Sequence, residues 1–205
     1  MNEMDFAALL VSRVCHDLVS PVGAVVNGLE VLEDERDATM RADALKLVAS
    51  SAELAAARLQ FARIAFGAAG SAGAELDLSE VGRMVQGLLA GSKVEMDWQA
   101  ACANWPKDWA KLLMNAALLA ADSLPRGGKV QVQTSKDPAT PSFIVRAWGQ
   151  GARLHPEAEK AVRGEPLGAV DGRSIQPFLT HKLARSLNAG LTVTGREGLL
   201  ELAAG

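Results

Sequence analysis

The side chain best suited to covalent chemistry in this sequence is that of His16, which is followed directly by Asp17. A neutral imidazole is a good nucleophile near neutral pH, because its unperturbed pKa is about 6.5. A carboxylate beside the ring can orient it or accept its proton. Since the bond between an imidazole nitrogen and phosphorus is labile, this pair could both take up a phosphoryl group and give it to a carboxylate.

Helical spacing places His16 away from the apolar side of its helix. Apolar residues recur three and four positions apart, at Val11, Val14, Leu18, Val22, Val25, Leu29 and Leu32. At about 100° per residue, His16 lies roughly 160° from both Val14 and Leu18, so we expect its ring to face solvent. The residues that share its face are mostly small or polar: Ser12, Arg13, Ser20, Gly23 and Asn27. We predict that all of these except Ser12 line a surface that binds a partner protein.

The plainer interpretation is that His16 is an ordinary surface histidine and Asp17 a solvated charge. Pro21 is harder to explain in this way, because a proline inside a helix costs about 3 kcal/mol. Pro21 also lacks a backbone N–H, which leaves the carbonyl of Asp17 without its helical donor.

A second helical pattern follows a short polar turn, in which Asp37 or Thr39 could cap the next helix. Its apolar residues also alternate spacings of three and four: Leu45, Val48, Ala52, Ala55, Leu59, Ala62 and Phe66. The two helices should form an antiparallel hairpin. If the turn centres near residues 36–37, Arg58 is roughly level with His16 and could contact phosphoryl oxygens. A solvated arginine at the edge of the helices is the alternative.

A two-helix hairpin cannot enclose a core by itself. We therefore expect two hairpins to pair about a twofold axis into an intermolecular four-helix bundle, which makes the protein a homodimer. The predicted bundle core consists of Val14, Leu18, Val25, Leu45, Val48 and Leu59. The alternative is that the second half of the chain covers these apolar stripes.

The pattern changes beyond the hairpin, and the sequence predicts an α+β fold. The hairpin occupies residues 1–69, a Gly/Ala-rich linker residues 70–76, and a second domain residues 77–205. Helices are predicted over 79–91 and 106–123 and near 175–188. Strands, mainly antiparallel, are predicted at 94–98, 129–134, 142–148, 192–195 and 199–203.

Composition limits the classes of function. The net charge of −3 argues against nucleic-acid binding, which needs a basic surface. The two cysteines form no disulfide framework or metal spacing. The N-terminus lacks the basic region of a signal peptide, and no run approaches the roughly 18 uninterrupted apolar residues of a membrane span. We expect a cytoplasmic protein with no membrane segment.

Residues 15–21, Cys-His-Asp-Leu-Val-Ser-Pro, resemble the H-box of sensor histidine kinases. In that box a phosphorylated histidine is followed by an acidic residue, an apolar residue and Ser/Thr-Pro. Further segments are similar to the alphaproteobacterial ChpT family of histidine phosphotransferases: residues 5–8, 28–30, 32–34, 49–52, 59–61, 65–68 and 164–167. The resemblance covers nearly the whole chain. It implies a homodimeric bundle and a C-terminal α/β sandwich that resembles a degenerate histidine-kinase ATPase domain.

A true histidine kinase is the main alternative to a phosphoryl carrier. Asn115 resembles the Mg²⁺-binding asparagine of kinases, but the expected Asp-x-Gly-x-Gly box begins with Ala147, which cannot accept hydrogen bonds from adenine. Residues 171–178 replace the glycine-rich lid. We therefore predict that the chain binds neither ATP, nor a metal, nor any other cofactor. The Mg²⁺ for transfer is expected in the partner receiver domain.

The resemblance implies a histidine phosphotransferase of a multistep phosphorelay. His16 would accept the phosphoryl group from a receiver-domain aspartate of a hybrid histidine kinase, with Asp17 as the second catalytic residue. It would then pass the group to response-regulator receivers that control the cell cycle. A non-catalytic dimeric adaptor that binds receiver domains and a divergent histidine kinase remain as alternatives.

Overall fold

The computed structural model describes residues 2–67, 74–168 and 170–205. Two long antiparallel helices come first, α1 (Glu3–Asp34) and α2 (Ala38–Ala65). Asp37 caps α2, because its side chain accepts hydrogen bonds from two N–H groups of the first turn. The structure thus selects Asp37 rather than Thr39 as the cap, and it confirms that the turn lies near residues 36–37.

The two helices approach closely near this turn. Gly28 is buried, and a Cβ atom at this position would lie 2.6 Å from Cγ2 of Val48. Arg41 of α2 donates to the carbonyl of Glu35 at 2.9 Å and also to that of Leu32. These contacts fasten the last turn of α1 to the start of α2.

By length and composition α1 could cross a membrane, with a mean hydropathy of 1.5 over its most apolar 18-residue window. The sequence prediction of no membrane segment rested on the lack of a long uninterrupted apolar run. The mean hydropathy of a window can be high even where polar residues interrupt it. One helix of this kind is weak evidence for a membrane span. In the structure α1 packs along α2 and contacts a helix of the second domain, and Arg13 in its middle forms ion pairs.

The second domain alternates short helices and strands. Its elements are β1 (Glu75–Asp77), α3 (Leu78–Leu88), β2 (Val94–Gln99), β3 (Asn104–Pro106), α4 (Lys107–Asp122), β4 (Gly128–Thr134), β5 (Phe143–Trp148), α5 (Pro156–Arg163), α6 (Ile175–Ser186), β6 (Thr192–Arg196) and β7 (Leu199–Ala204). A five-stranded sheet has the order β2-β4-β5-β7-β6, and β1 pairs with β3. Strands β2 and β4 run parallel, whereas the other paired strands run antiparallel.

The sheet has one apolar and one polar face. Alternate residues of its central strands are buried beneath α4, which contacts β4, β5 and β7. On the other face, Arg146 bonds to Glu201 at 2.7 Å and to Gln133 at 2.9 Å. The predicted α+β class, with a helical hairpin followed by an α/β sandwich, is confirmed.

The structure differs from the sequence prediction in three short elements. Residues 75 and 76, predicted as part of the linker, belong to β1, while residues 70–73 lie outside the described part of the chain. Strand β3 and helix α5 were not predicted. Strands β1 and β3 have three residues each and form by pairing with each other, so neither has a periodic pattern of its own.

Two side chains of α4 tie the hairpin to the second domain. The last carbonyls of a helix have no donor within it. At the end of α2, Asn115 Nδ2 donates to the carbonyl of Ala65 at 3.1 Å, and Lys111 Nζ donates to that of Gly67 at 2.8 Å. Gln176 of α6 donates in turn to Oδ1 of Asn115 at 2.9 Å. The fully buried Asn115 therefore joins α2, α4 and α6.

A second junction lies at the start of α1. The ring of Phe6 packs edge-on against that of Phe178 in α6, with centroids 6.1 Å apart. The ammonium group of Lys182 lies 5.7 Å from the first ring centroid and 5.4 Å from the second. The second domain therefore contacts both helices of the hairpin.

We predict that Asn115→Ala lowers the free energy of unfolding by about 2–3 kcal/mol, because it removes the buried carboxamide that donates to the Ala65 carbonyl and accepts from the Gln176 amide. Urea denaturation measures this change. Asn104→Ala is the matched control, since Asn104 is exposed and its side chain has no hydrogen-bond partner among the described residues. Equal stability of the two variants would refute the role of Asn115 in the junction.

Candidate functional site

The imidazole of His16 projects from the middle of α1 into solvent. Its side chain is 84% exposed, as the helical spacing predicts. Nδ1 lies 3.3 Å from Oδ1 of Asp17. With the proton on Nδ1 facing this carboxylate, the lone pair of the ring is on Nε2. Nε2 has no hydrogen-bond partner within the described residues, so it is free to attack an incoming electrophile.

The carboxylate of Asp17 is held from its other side by Arg13. Nε of Arg13 lies 2.9 Å from Oδ2 of Asp17, one helical turn away, and Nη2 lies 3.5 Å from Oδ2 of Asp122 at the end of α4. Burial disfavours the charged form of Arg13, but the carboxylates of Asp122 and Asp17 outweigh it and raise the pKa of Arg13 above its usual value. Arg13 therefore remains a cation that orients Asp17 and links α1 to α4.

Arg58 lies level with His16, as predicted, but its guanidinium group has a partner within the chain. Nη1 of Arg58 donates to the backbone carbonyl of Asp17. This is the carbonyl that Pro21 leaves without a helical donor. The expected contact of Arg58 with phosphoryl oxygens stays a prediction, and the arginine is not simply a solvated residue at the edge of the helices.

A cleft of about 480 Å³ opens beside His16. On the hairpin side it is lined by Ser12, Arg13 and His16 of α1, and on the other side by residues 171–173, which precede α6. The sequence analysis placed residues 171–173 only in the segment that replaces a nucleotide lid. It missed them as site residues, because nothing in the sequence brings them close to His16.

Asp171 organises this loop. Its Oδ1 accepts hydrogen bonds from the N–H of Arg173 at 2.9 Å, the N–H of Ser174 at 2.9 Å and the hydroxyl of Ser174 at 2.8 Å. The hydroxyl of Ser174 and these backbone donors lower the pKa of Asp171 below its usual value. The wall of the cleft opposite His16 is therefore an internally bonded turn that carries the charged residues Asp171 and Arg173.

The structure brings together part of the predicted docking surface. Of its residues, Arg13 lines the cleft with His16, but its guanidinium group is engaged by carboxylates and its side chain is only 19% exposed. Ser20 and Asn27 are exposed, and Gly23 has open space where a Cβ would lie. These three residues lie further along α1 towards the turn, outside the cleft.

The two residues that the sequence analysis compared with a kinase nucleotide site, Asn115 and Ala147, both lie in the packed interior. Asn115 is buried in the junction with α2, with its amide and its oxygen both hydrogen-bonded. Ala147 is fully buried in β5. Within the part of the chain that the structure describes, no group of three or more His, Cys, Asp or Glu side chains is arranged to hold a metal ion.

Comparison with known proteins identifies the family of the chain. Residues 78–198 match the family model of the histidine phosphotransferase C-terminal domain. The chain therefore belongs to the histidine phosphotransferase family, and its activity is phosphoryl transfer within a phosphorelay. It is 40% identical to the protein phosphotransferase ChpT of Brucella abortus (strain 2308) over 195 residues, which cover 95% of this chain and 91% of the relative.

The fold is also similar to a solved structure of a bacterial phosphotransferase. The TM-score is 0.88 at 35% sequence identity, and the match covers 100% of this chain and 98% of the other. These matches confirm the resemblance to histidine phosphotransferases that the sequence analysis found.

Proposed function

We propose that His16 accepts a phosphoryl group from a receiver domain of a hybrid histidine kinase and passes it to the receiver domains of response regulators. The exposed imidazole beside a held carboxylate carries this proposal. Nε2 would attack phosphorus of the aspartyl phosphate, so that an N–P bond forms while the P–O bond breaks and the donor carboxylate leaves. In the second transfer an acceptor carboxylate attacks the same phosphorus, and Nε2 leaves.

Asp17 would act on the charge of the ring. As the N–P bond forms, the imidazole becomes positive, and a carboxylate 3.3 Å from Nδ1 stabilises that charge. Arg13 holds the other oxygen of this carboxylate at 2.9 Å, so Asp17 keeps its position when a partner arrives. In this proposal His16 and Asp17 are the catalytic residues of the chain.

The receiver domain would dock in the cleft between α1 and residues 171–173. Its own acidic pocket and Mg²⁺ would neutralise the transferring group. Arg173 on the cleft wall has the charge to attract such an acidic surface. Ser20, Gly23 and Asn27 extend this surface along α1.

We further propose that the chain transfers phosphate without binding ATP. The carboxamide of Asn115 is fully used in the junction with α2, so a metal ion would have to compete with Gln176 for its oxygen. Ala147 offers no acceptor for adenine. Transfer without ATP binding and the resemblance to the ChpT family both fit a cytoplasmic relay protein of the cell cycle.

The apolar residues that one protomer leaves exposed favour a homodimer. Leu45 and Leu59, both predicted in the bundle core, are 57% and 51% exposed. On α1, three exposed apolar residues are separated by nearly whole numbers of helical turns and so share one face of the helix: Val11, Val22 and Leu29. The other predicted core residues, Val14, Leu18, Val25 and Val48, are partly buried within the protomer. A second hairpin on this face would complete a four-helix bundle and bury these side chains.

Incubation with a phosphorylated receiver domain tests the function. We expect acid-labile, alkali-stable label on the wild type and none on His16→Ala, because only the imidazole of His16 accepts the group. His155→Asn is the matched control, since asparagine can still cap α5. Label that persists on His16→Ala would exclude the proposed site, and receiver binding without any label would favour the adaptor.

The same protein incubated with Mg²⁺-ATP alone should acquire no label, because the adenine and metal contacts of a kinase are lost. Isothermal titration calorimetry with Mg²⁺-ATP should detect no binding. A phosphorylated His16 in this experiment would identify the protein as a divergent histidine kinase.

We predict that Leu59→Glu converts the dimer into a monomer, because it places a charge within the proposed apolar interface. Light scattering coupled to gel filtration measures the molar mass. Gln60→Glu adds the same charge at the next exposed position and should remain dimeric. A wild-type protein that is monomeric at micromolar concentration would contradict the four-helix bundle.

A further inference from the structure

We propose that Arg58 is a positioning residue for His16, because it supplies the hydrogen bond that Pro21 cannot give to the carbonyl of Asp17. This inference rests on the proposed function, in which His16 accepts the phosphoryl group. It assigns to Arg58 an action on the backbone of α1 rather than on the transferring phosphate.

The first observation is an interrupted helical ladder. In an α-helix the carbonyl of a residue accepts from the N–H four positions later. For Asp17 that position is Pro21, which has no N–H, yet α1 continues without a break from Glu3 to Asp34. Pro21 is itself buried, so the interruption lies within a packed part of the helix.

The second observation is the donor. Arg58 comes from α2, 41 residues along the chain, and Nη1 donates to this carbonyl. A charged donor makes a stronger hydrogen bond than the lost amide would. Asp17 and Arg58 also line a small cavity of about 30 Å³, most of whose other lining residues are apolar, including Phe61 and Leu118. Within these surroundings the guanidinium group is the donor that the fold provides.

The third observation is what the bond holds in place. Asp17 is fixed at three atoms: Oδ1 faces His16 Nδ1, Oδ2 accepts from Arg13, and the backbone carbonyl accepts from Arg58. The first two contacts set the carboxylate, and the third ties the peptide unit after Asp17 to α2. Without Arg58 the turn of α1 that carries His16 would have an unpaired carbonyl and more freedom to move.

A double-mutant cycle tests the inference. Pro21→Ala restores an N–H to the ladder, so the Asp17 carbonyl no longer needs Arg58. We expect Arg58→Ala to slow single-turnover transfer from a phosphorylated receiver to His16 about tenfold in the wild-type background. In the Pro21→Ala background the same change should slow transfer less than about threefold. An equal loss in both backgrounds would show that Arg58 contacts the phosphoryl group directly and would overturn the inference.

A second readout separates positioning from general damage to the fold. Arg58→Ala should change the ring ¹⁵N chemical shifts of His16, because the carboxylate facing Nδ1 is displaced, and Pro21→Ala should reverse this change. Arg63→Ala is the control, since Arg63 is an exposed arginine of the same helix. Ring ¹⁵N signals of His16 that do not change in Arg58→Ala would overturn the inference.

The possible failures are distinguishable. If Arg58→Ala does not fold, the transfer rates of Pro21→Ala and of the double variant are compared instead. A double variant that transfers tenfold more slowly than Pro21→Ala contradicts the inference. Folding that is recovered in the double variant supports it. If wild-type protein acquires no label on His16, the proposed function fails, whereas the ring ¹⁵N signals of His16 still report on Arg58.

Discussion

The geometry of the molecule depends on two backbone carbonyl groups, that of Ala65 at the end of α2 and that of Gly67 just beyond it. Asn115 and Lys111, one turn apart on α4, donate to them. Because the two donors lie on one face of a buried helix, they fix where α2 ends and how the second domain sits against it. The packing of Phe6 on Phe178 adds a contact to α1. The cleft beside His16 is therefore built into the fold.

A similar hydrogen bond, from a side chain to an unpaired backbone carbonyl, occurs inside the hairpin. Pro21 creates an unpaired carbonyl, and Arg58 satisfies it. In both places a backbone group without a helical partner is bonded by a side chain from another element. The imidazole of His16 makes few contacts of its own, and its surroundings hold it through Asp17. A carrier that must release its phosphoryl group again is well served by an exposed nucleophile on a firmly held helix.

Much of the hairpin could be predicted from local spacing. A regular period of 3.6 residues is sufficient to place His16 in solvent, and the position of the turn is sufficient to bring Arg58 level with it. The partner of Arg58 was not predicted, because it is a backbone atom that residue types do not reveal. The pairing of residues 171–173 with His16 arises from a long-range fold, and so does the use of Asn115 in the junction.

The position of Ala147 has a consequence for the substitutions that the fold tolerates. Its side chain is fully buried in β5, and the oxygen of Asn115 is occupied by Gln176. An aspartate at position 147 would carry a charge into the apolar interior, while no free carboxamide would be waiting to hold a metal. Ala147→Asp alone would therefore lower the stability of the fold without freeing the carboxamide of Asn115. The packing of β5 and the junction around Asn115 therefore restrict which side chains these two positions can accept.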